Sequence, residues 1–352
     1  MKAGKFNVLL DAFWGSSGKG KVANFLARRF NVTAASSCNM PNAGHTVERL
    51  GMRVVNKVLP SAAIFNPLVH TCFLGPGSIF KAEQYGKEVE DRNYFSQTLV
   101  HERACFLEEK HGEQERARLS TISSTMQGSG AALCEKVMRE SKLLNGAMFP
   151  QYSPGAFRTL MHDEVNRGVF LHEVSQGWAL SLDHGTHYPH CTSRNCTVQA
   201  AMDQMCITPN MVGDVYLNLR TYPIRVGNTA DGYSGDFAPW CEETTWDAVA
   251  AAAGLDAEEL KKREFTTVTK RLRRVGTFPL ELAREAARYS GATKLVITFA
   301  EYIDARAAGV RVWEELPEKV KDFCAQVEKF VGVPVAFVST GADSDDMVEV
   351  CA

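Results

Sequence analysis

The chain has 352 residues, 45% of them hydrophobic and 23% charged, which excludes a disordered or collagen-like polymer and allows an enzyme-sized core. A formal charge of −2 argues against broad capture of nucleic acid or of an anionic membrane, and leaves small anions as ligands to consider. No apolar stretch approaches the roughly 20 residues that span a bilayer. The ten cysteines include no CxxC pair, so a cytoplasmic protein with reduced thiols is expected.

In chain order, Phe6–Leu10 predicts an opening strand rather than a signal peptide, and Lys19–Phe30 a helix. Further strands are expected at Val54–Leu59, His70–Leu74, Val169–His172, Lys294–Phe299 and Val335–Val338. Helical spacing and charge mark Glu83–Arg92, Trp246–Arg263, Leu280–Tyr289 and Glu318–Phe330. Strands alternating with helices predict an α/β fold, a mainly parallel central sheet flanked by helices, with ligands at the loops that follow the strands. One continuous domain over residues 1–352 is the simpler expectation. Residues 141–160 and 227–245, rich in Gly, Pro, aromatic and polar residues, read as surface excursions.

The first informative segment is GSSGKGK, Gly15, Ser16, Ser17, Gly18, Lys19, Gly20 and Lys21, between the first strand and the first helix. Glycines let backbone N–H groups approach an anion, the helix N-terminus adds positive potential, and Lys19 supplies charge, so phosphate binding is the natural reading. The spacing is not that of a standard P-loop: two residues separate Gly15 from Gly18, and Gly20 rather than Ser or Thr follows Lys19. The second segment is PNAGHTV, with Asn42, Ala43, Gly44, His45 and Thr46.

Together the two segments resemble the adenylosuccinate synthetase family, which carries GDEGKGK and NAGHT at this relative spacing. The resemblance continues through Ser124 and Thr125, the EVSQG and DHGT stretch from Glu173 to Thr186, TSRN from Thr192, RVG from Arg225, TKRLRR from Thr269, and Ser339, Thr340 and Gly341. It implies a P-loop-NTPase-like fold and a ligase that passes a γ-phosphate to the purine O6, which the aspartate amine then displaces at C6. It also implies Mg²⁺ held by Ser16 and the Gly44 carbonyl, and His45 acting with Lys19 at the transferring phosphoryl group. The donor nucleotide and its phosphates would meet Gly15, Ser17–Lys21, Gly44, His45, Thr46, Arg273, Phe299, Glu301 and Ser339–Gly341. The acceptor nucleotide would meet Ser16, Asn42, Ala43, Ser124, Thr125, Gln176, Thr192 and Arg271, and aspartate would meet Thr267, Thr269, Arg271 and Arg273, where a guanidinium fork fits a carboxylate. Arg139 matches an arginine that the family inserts from the partner subunit, which implies a homodimer.

Two departures from the family matter. Where the family has the Asp of GDEGKGK, its catalytic base and a magnesium ligand, this chain has Ser16, a far weaker base that brings no charge. The shorter side chain leaves room for the 2-amino group of guanine, and the exchange marks a phage branch of the family, the N6-succino-2-amino-2'-deoxyadenylate synthases, which join aspartate to dGMP. Where the family reads guanine with a TKLD-like motif, this chain has Thr298, Phe299, Ala300 and Glu301. Phe299 could stack on adenine, so ATP or dATP is expected as donor. Ser16 and Phe299 argue against the ordinary reaction of IMP with GTP. Retention of His45, Lys19, Gln176 and Arg271 speaks against a nucleotide-binding homologue without catalysis.

His184, His187, His190 and Cys191 crowd one stretch, but no second ligand pair follows at a usual spacing, so no zinc is expected. Neither nucleic acid nor a membrane is expected as a partner.

Overall fold

The computed structural model describes residues 1–92, 97–143, 155–266 and 271–350. Nine strands form the central sheet: β1 (Phe6–Asp11), β2 (Ala34–Ser37), β5 (Thr71–Leu74), β7 (Thr98–Val100), β9 (Phe170–Glu173), β10 (Val212–Arg220), β14 (Lys294–Thr298), β15 (Val335–Ser339) and β16 (Met347–Glu349). Smaller pairings join β3 (His45–Arg49) to β4 (Met52–Asn56), β6 (Ile79–Phe80) to β8 (Cys105–Phe106), and β11 (Ile224–Arg225) and β12 (Glu243–Thr244) to β13 (Arg274–Gly276). The central order is β16-β15-β14-β10-β1-β9-β2-β5-β7. Every neighbouring pair is parallel except β15 with β16 at one edge.

All six residues of β1 are buried, because a central parallel strand is covered on both faces and reads as an unbroken run rather than an alternation. Of its two polar residues, Asp11 ends the strand and Asn7 is satisfied within it: its amide donates to the carbonyls of Lys2, Lys5 and Phe170, and its Oδ1 accepts from the Lys2 and Asp214 amides. The helix α1 (Lys19–Arg29) lays Val22, Ala23 and Leu26 on the sheet beside Leu9, Tyr216 and Phe337. On the other face Phe6 stacks on Phe170, and Phe73 meets Phe170 at a tilt and Phe157 edge-on.

The sequence reading locates β1, β5, β9, β14 and β15 but misses β2, β7, β16 and β10, the last of which lies beside β1 at the sheet centre. Asp214, Asn218 and Arg220 interrupt its apolar run, and each is buried with a partner. Asp214 lies 3.4 Å from the N-terminal ammonium, Asn218 donates to the Ser17 carbonyl at 2.8 Å, and Arg220 pairs with Glu264 at 2.6 Å. Other expectations are corrected. The run Trp246–Arg263 is two helices, Trp246–Ala253 and Ala257–Arg263, because Gly254 turns left-handed at φ 76° and Asp256 caps the second. Val54–Leu59 is strand only in part: β4 pairs with β3 and ends at Asn56, outside the central sheet, and the Lys57, Val58 and Leu59 amides donate instead to the Glu88 carboxylate. β14 stops at Thr298, since Phe299 takes φ 63°.

Of the expected excursion at 141–160, residues 144–154 lie outside the described residues, and Ala156–Arg167 is a helix with Phe157, Met161 and Val165 buried. The stretch 227–245 is largely exposed but anchored, since Phe237 is 2% exposed and meets the Trp14 ring edge-on. Among the described residues no helix is long and apolar enough to cross a membrane.

The sheet centre holds the loop after β1 through side-chain donors. Asn218→Ala should therefore lower stability by about 1–2 kcal/mol, read as a lower urea midpoint with unchanged slope. An unchanged midpoint would show that Thr298, which also donates to Ser17, is enough.

Candidate active site

The loop 12–18 leaves the carboxyl end of β1 and enters α1. It turns through left-handed backbone at Gly15 (φ 86°), Ser16 (φ 51°) and Gly18 (φ 73°), which is free for glycine and costs about 1 kcal/mol for serine. The turn is held from the sheet side. Arg220 Nη1 donates to the Ser16 carbonyl at 2.6 Å, and the Ser17 carbonyl accepts from Asn218 Nδ2 at 2.8 Å and Thr298 Oγ1 at 2.9 Å. The Ser16 residue itself is exposed. No side chain caps α1 and no acid lies in its first turn, so its positive end remains available to an anion.

Gly20 explains why the segment departs from a standard P-loop. A Cβ there would stand 3.0 Å from His45 Cβ, 3.1 Å from the Thr46 carbonyl and 3.3 Å from Ser61 Oγ. The missing side chain lets α1 close on β3 and brings His45 to the loop. Lys19, 5% exposed, donates from Nζ to the Gln176 carbonyl at 2.5 Å. Gln176 is left-handed (φ 62°), and a Cβ on Gly177 would fall 2.0 Å from the Phe13 carbonyl, so this second loop presses against the first.

Four titratable groups meet here, three buried and His45 half-buried. Burial pulls the Lys19 ammonium below its ordinary value against the opposing charges of Asp11 and Glu173. Asp11, fully buried with Oδ1 accepting from the Phe13 amide at 2.9 Å, is pushed up by burial, with Lys19 opposing. Glu173 ends β9, accepts from the Ala62 amide at 2.7 Å, and is pushed up to about 7 by burial. His45 is brought down to about 3 by burial and then by Lys19, so its ring is neutral at neutral pH.

A second group lies around Phe299. Its ring is approached by the Arg220 guanidinium at 4.0 Å and by Lys21 Nζ at 4.9 Å from the centroid. Lys21 donates to the Gly341 carbonyl at 2.5 Å, next to buried Ser339 and Thr340. Glu301 is 7% exposed and pushed up by burial, with Lys21 opposing. Glu264 accepts from Arg220 and Tyr302 at 2.6 Å and from Arg273 at 3.3 Å.

The structure thus brings Ser16–Lys21, His45 and Gln176 to one locality, and Lys21, Phe299, Glu301, Gly341 and Arg273 to the adjoining one, with Arg220 touching both. Asn42 and Thr46 are half-buried, Ala43 is buried and Gly44 exposed on the segment leading into β3. Ser124 and Thr125 follow Ser123, whose hydroxyl meets Thr229 at 3.2 Å; Arg271 reaches the same segment at the Gly227 carbonyl, 2.9 Å. Thr192 is buried, its amide donating to Leu180. Arg139 stands apart on the surface (φ 67°) beside exposed Val137 and Met138. Thr267 and Thr269 lie outside the described residues.

Sequence reasoning missed Asp11, Glu173, Arg220 and Glu264 as site residues. A usable signal existed for the first three: β1, β9 and β10 each end an apolar run on a charged residue, at the edge where parallel sheets hold their ligands.

For a metal, the Ser16 hydroxyl and Gly44 carbonyl offer uncharged oxygens, and nothing lies within 4 Å of a Cβ placed on Gly44. That set fits a hard ion such as Mg²⁺ arriving with phosphates rather than a preformed cage. His187 is engaged elsewhere, with Nε2 to the Ala238 carbonyl at 2.7 Å and Nδ1 to Thr186 at 2.9 Å. Among the described residues Glu108, His111 and Glu135 also cluster, but Lys110 and Lys142 occupy the carboxylates.

The adenylosuccinate synthetase family model matches residues 8–167 and 155–307. The adenylosuccinate synthetase of Archaeoglobus fulgidus is 32% identical over 347 residues, covering 97% of each chain, and that of Pyrococcus horikoshii 29% over 350 residues with the same coverage. Among solved structures, the cyanophage S-2L succinoaminodeoxyadenylate synthetase (PurZ), bound to dGMP and to dATP as an energy donor, superposes with a TM-score of 0.83 at 27% identity, covering 100% of this chain and 97% of its own. The fully ligated Plasmodium falciparum adenylosuccinate synthetase, at 18% identity and a TM-score of 0.82 over 98% of this chain and 99% of its own, shares the fold.

Burial pushes the Glu264 carboxyl up, but Arg220 and Arg273 outweigh it and hold it below the ordinary glutamate value. Its contribution to stability is therefore complete above the unfolded pKa of about 4.3 and is lost as pH falls through the lower folded value. Glu264→Ala, which strands the Arg220 charge, should cost about 3–5 kcal/mol at pH 7, with the gap to wild type narrowing in acid. Equal melting temperatures at pH 7 would contradict this.

Proposed function

Because the chain belongs to the adenylosuccinate synthetase family, and is a C–N bond-forming ligase, we propose that it joins L-aspartate to C6 of dGMP in the cytoplasm at the expense of ATP or dATP. The product would be N6-succino-2-amino-2'-deoxyadenylate, the precursor of a 2-aminoadenine base in phage DNA. The observation that carries this reading is Ser16: an exposed hydroxymethyl group at the apex of a loop whose backbone is fixed by Arg220, at the place where the family's GDEGKGK motif has a carboxylate. A carboxylate there would crowd a purine 2-amino group, and serine leaves it space. The solved PurZ structure holds dGMP and dATP, which supports the same substrates here.

In this reading the γ-phosphoryl group moves to O6 of the acceptor base, breaking its bond to the β-phosphate bridging oxygen, while the N1 proton is released to solvent. The aspartate amine then attacks C6 and phosphate leaves. Lys19 and the α1 N-terminus stabilise the charge on the donor phosphates, and the neutral His45 ring donates a hydrogen bond to the phosphoryl group or to O6. Ser16 and the Gly44 carbonyl would hold Mg²⁺ beside the phosphates, where it would supply neutralisation of phosphate oxygen charge. Asn42, Ser124, Thr125, Gln176 and Thr192 hold the acceptor nucleotide, and Arg271 with Thr267 and Thr269 orients the aspartate carboxylates. The donor base lies against Phe299, shared with the planar Arg220 guanidinium, near the buried Glu301 carboxyl. Arg139 reaches the acceptor phosphate of a second subunit, and exposed Val137 (69%) and Met138 (66%) beside it suit a homodimer contact.

Purified protein with L-aspartate and Mg²⁺ should form product from dGMP with ATP or dATP. Product from IMP with GTP alone would reject the reading, and no product from any pair would favour a homologue without catalysis. Ser16→Asp should lower kcat/KM for dGMP by about 10–100-fold, and unchanged or better turnover would show that the space argument is wrong.

A further inference from the structure

Two buried polar atoms face one another where β3 meets β9. His45 Nδ1 and Glu173 Oε2 are 3.9 Å apart, and neither makes a hydrogen bond within the described residues. Leaving both unsatisfied is expensive: each buried polar atom without a partner costs about 1–3 kcal/mol. Their placement is not accidental to the packing. The other Glu173 oxygen is pinned by the Ala62 amide at 2.7 Å, and Ser61 lies against the same carboxyl. Ser61 and His45 both press on Gly20, the position where α1 has no side chain. The glutamate is thus held still, fully buried at the end of a central strand, while His45 sits at the first residue of a two-stranded hairpin.

We propose that Glu173 is the positioning residue for His45: its carboxyl, in the protonated form, donates from Oε2 to Nδ1 of the neutral ring, fixes the ring plane, and leaves Nε2–H as the donor presented to the reacting phosphoryl group. Closing 3.9 Å to a hydrogen bond of about 3 Å needs a small rotation of the imidazole, of the kind seen when catalytic contacts tighten around substrate. A histidine oriented by a carboxyl on its other nitrogen recurs wherever one ring nitrogen must face the chemistry. Gly44, next in chain to His45, lies open, so the ring would otherwise be free to turn with the segment that precedes it. The inference rests on the reading of His45 as a group that touches the transferring phosphoryl.

The test is a double-mutant cycle of wild type, H45A, E173A and H45A/E173A, assayed with whichever acceptor and donor pair gives product. E173A should lower kcat about 100-fold while KM for either nucleotide moves less than about 3-fold, because Glu173 does not touch substrate. In the H45A background the same substitution should lower kcat no further, since the residue acts only through the ring it holds. A purely structural role would give losses that multiply, and multiplied losses, or a wild-type kcat for E173A, would overturn the inference while leaving His45 in place. Wild-type turnover by H45A would overturn both it and the reading it rests on. Should E173A fail to fold, E173Q, which still accepts from Ala62, replaces it in the cycle. Its expected loss is about 10-fold with His45 present and none in the H45A background, and a loss of equal size in both backgrounds would again overturn the proposal.

Discussion

The loop after β1 is held in shape by donors from β10, which lies beside β1, and from β14, the next strand in the sheet. Asn218 and Arg220 on β10 and Thr298 on β14 take the Ser16 and Ser17 carbonyls, and without them Ser16 would have no reason to stay in left-handed backbone. Arg220 is itself 1% exposed. A guanidinium that deep is tolerable only because Glu264 accepts from it, and Glu264 is shared with Tyr302 and Arg273. Since the same guanidinium lies over Phe299, one buried ion pair ties the geometry of the loop to that of the neighbouring aromatic site.

The electrostatics follow from where carboxyl groups are and are not. Asp11, Glu173, Glu264 and Glu301 are all buried around the loop, while position 16 at the rim carries only a hydroxyl. Burial raises Asp11, Glu173 and Glu301, and only Glu264, with two arginines, is held low. Negative charge is therefore suppressed beneath the loop and absent on top of it, an arrangement that suits a site meant for phosphates. A metal held by Ser16 and Gly44 would depend on the nucleotide for its charge, because neither residue brings any of its own.

The alternation of elements, the parallel sheet and the phosphate loop were legible because they rest on local rules: apolar runs bounded by glycine, and a glycine-rich turn before a helix. β10 was not, because its Asp214, Asn218 and Arg220 look like surface residues until their partners, far away in sequence, are known. Gly254 was a local signal that should have divided one long helical run, and Phe299 closed β14 only through its φ. In the site, the motif residues Lys19, His45 and Gln176 come together as their segments suggested. The glutamates at 173 and 264 were hidden because a buried carboxyl takes its role from three-dimensional neighbours. Gly20, read as a departure from a familiar motif, is explained by the close approach of His45 and Ser61.

The central claim is spatial: serine has replaced a carboxylate next to the reacting base and so admits an aminated purine. A crystal structure of the protein with dGMP and a non-hydrolysable adenine nucleotide tests it most directly. The account predicts the Ser16 side chain in van der Waals contact with the guanine 2-amino edge and no carboxylate between them. Finding residue 16 turned away from the base, with Asp11 or another acid in its place, would contradict it.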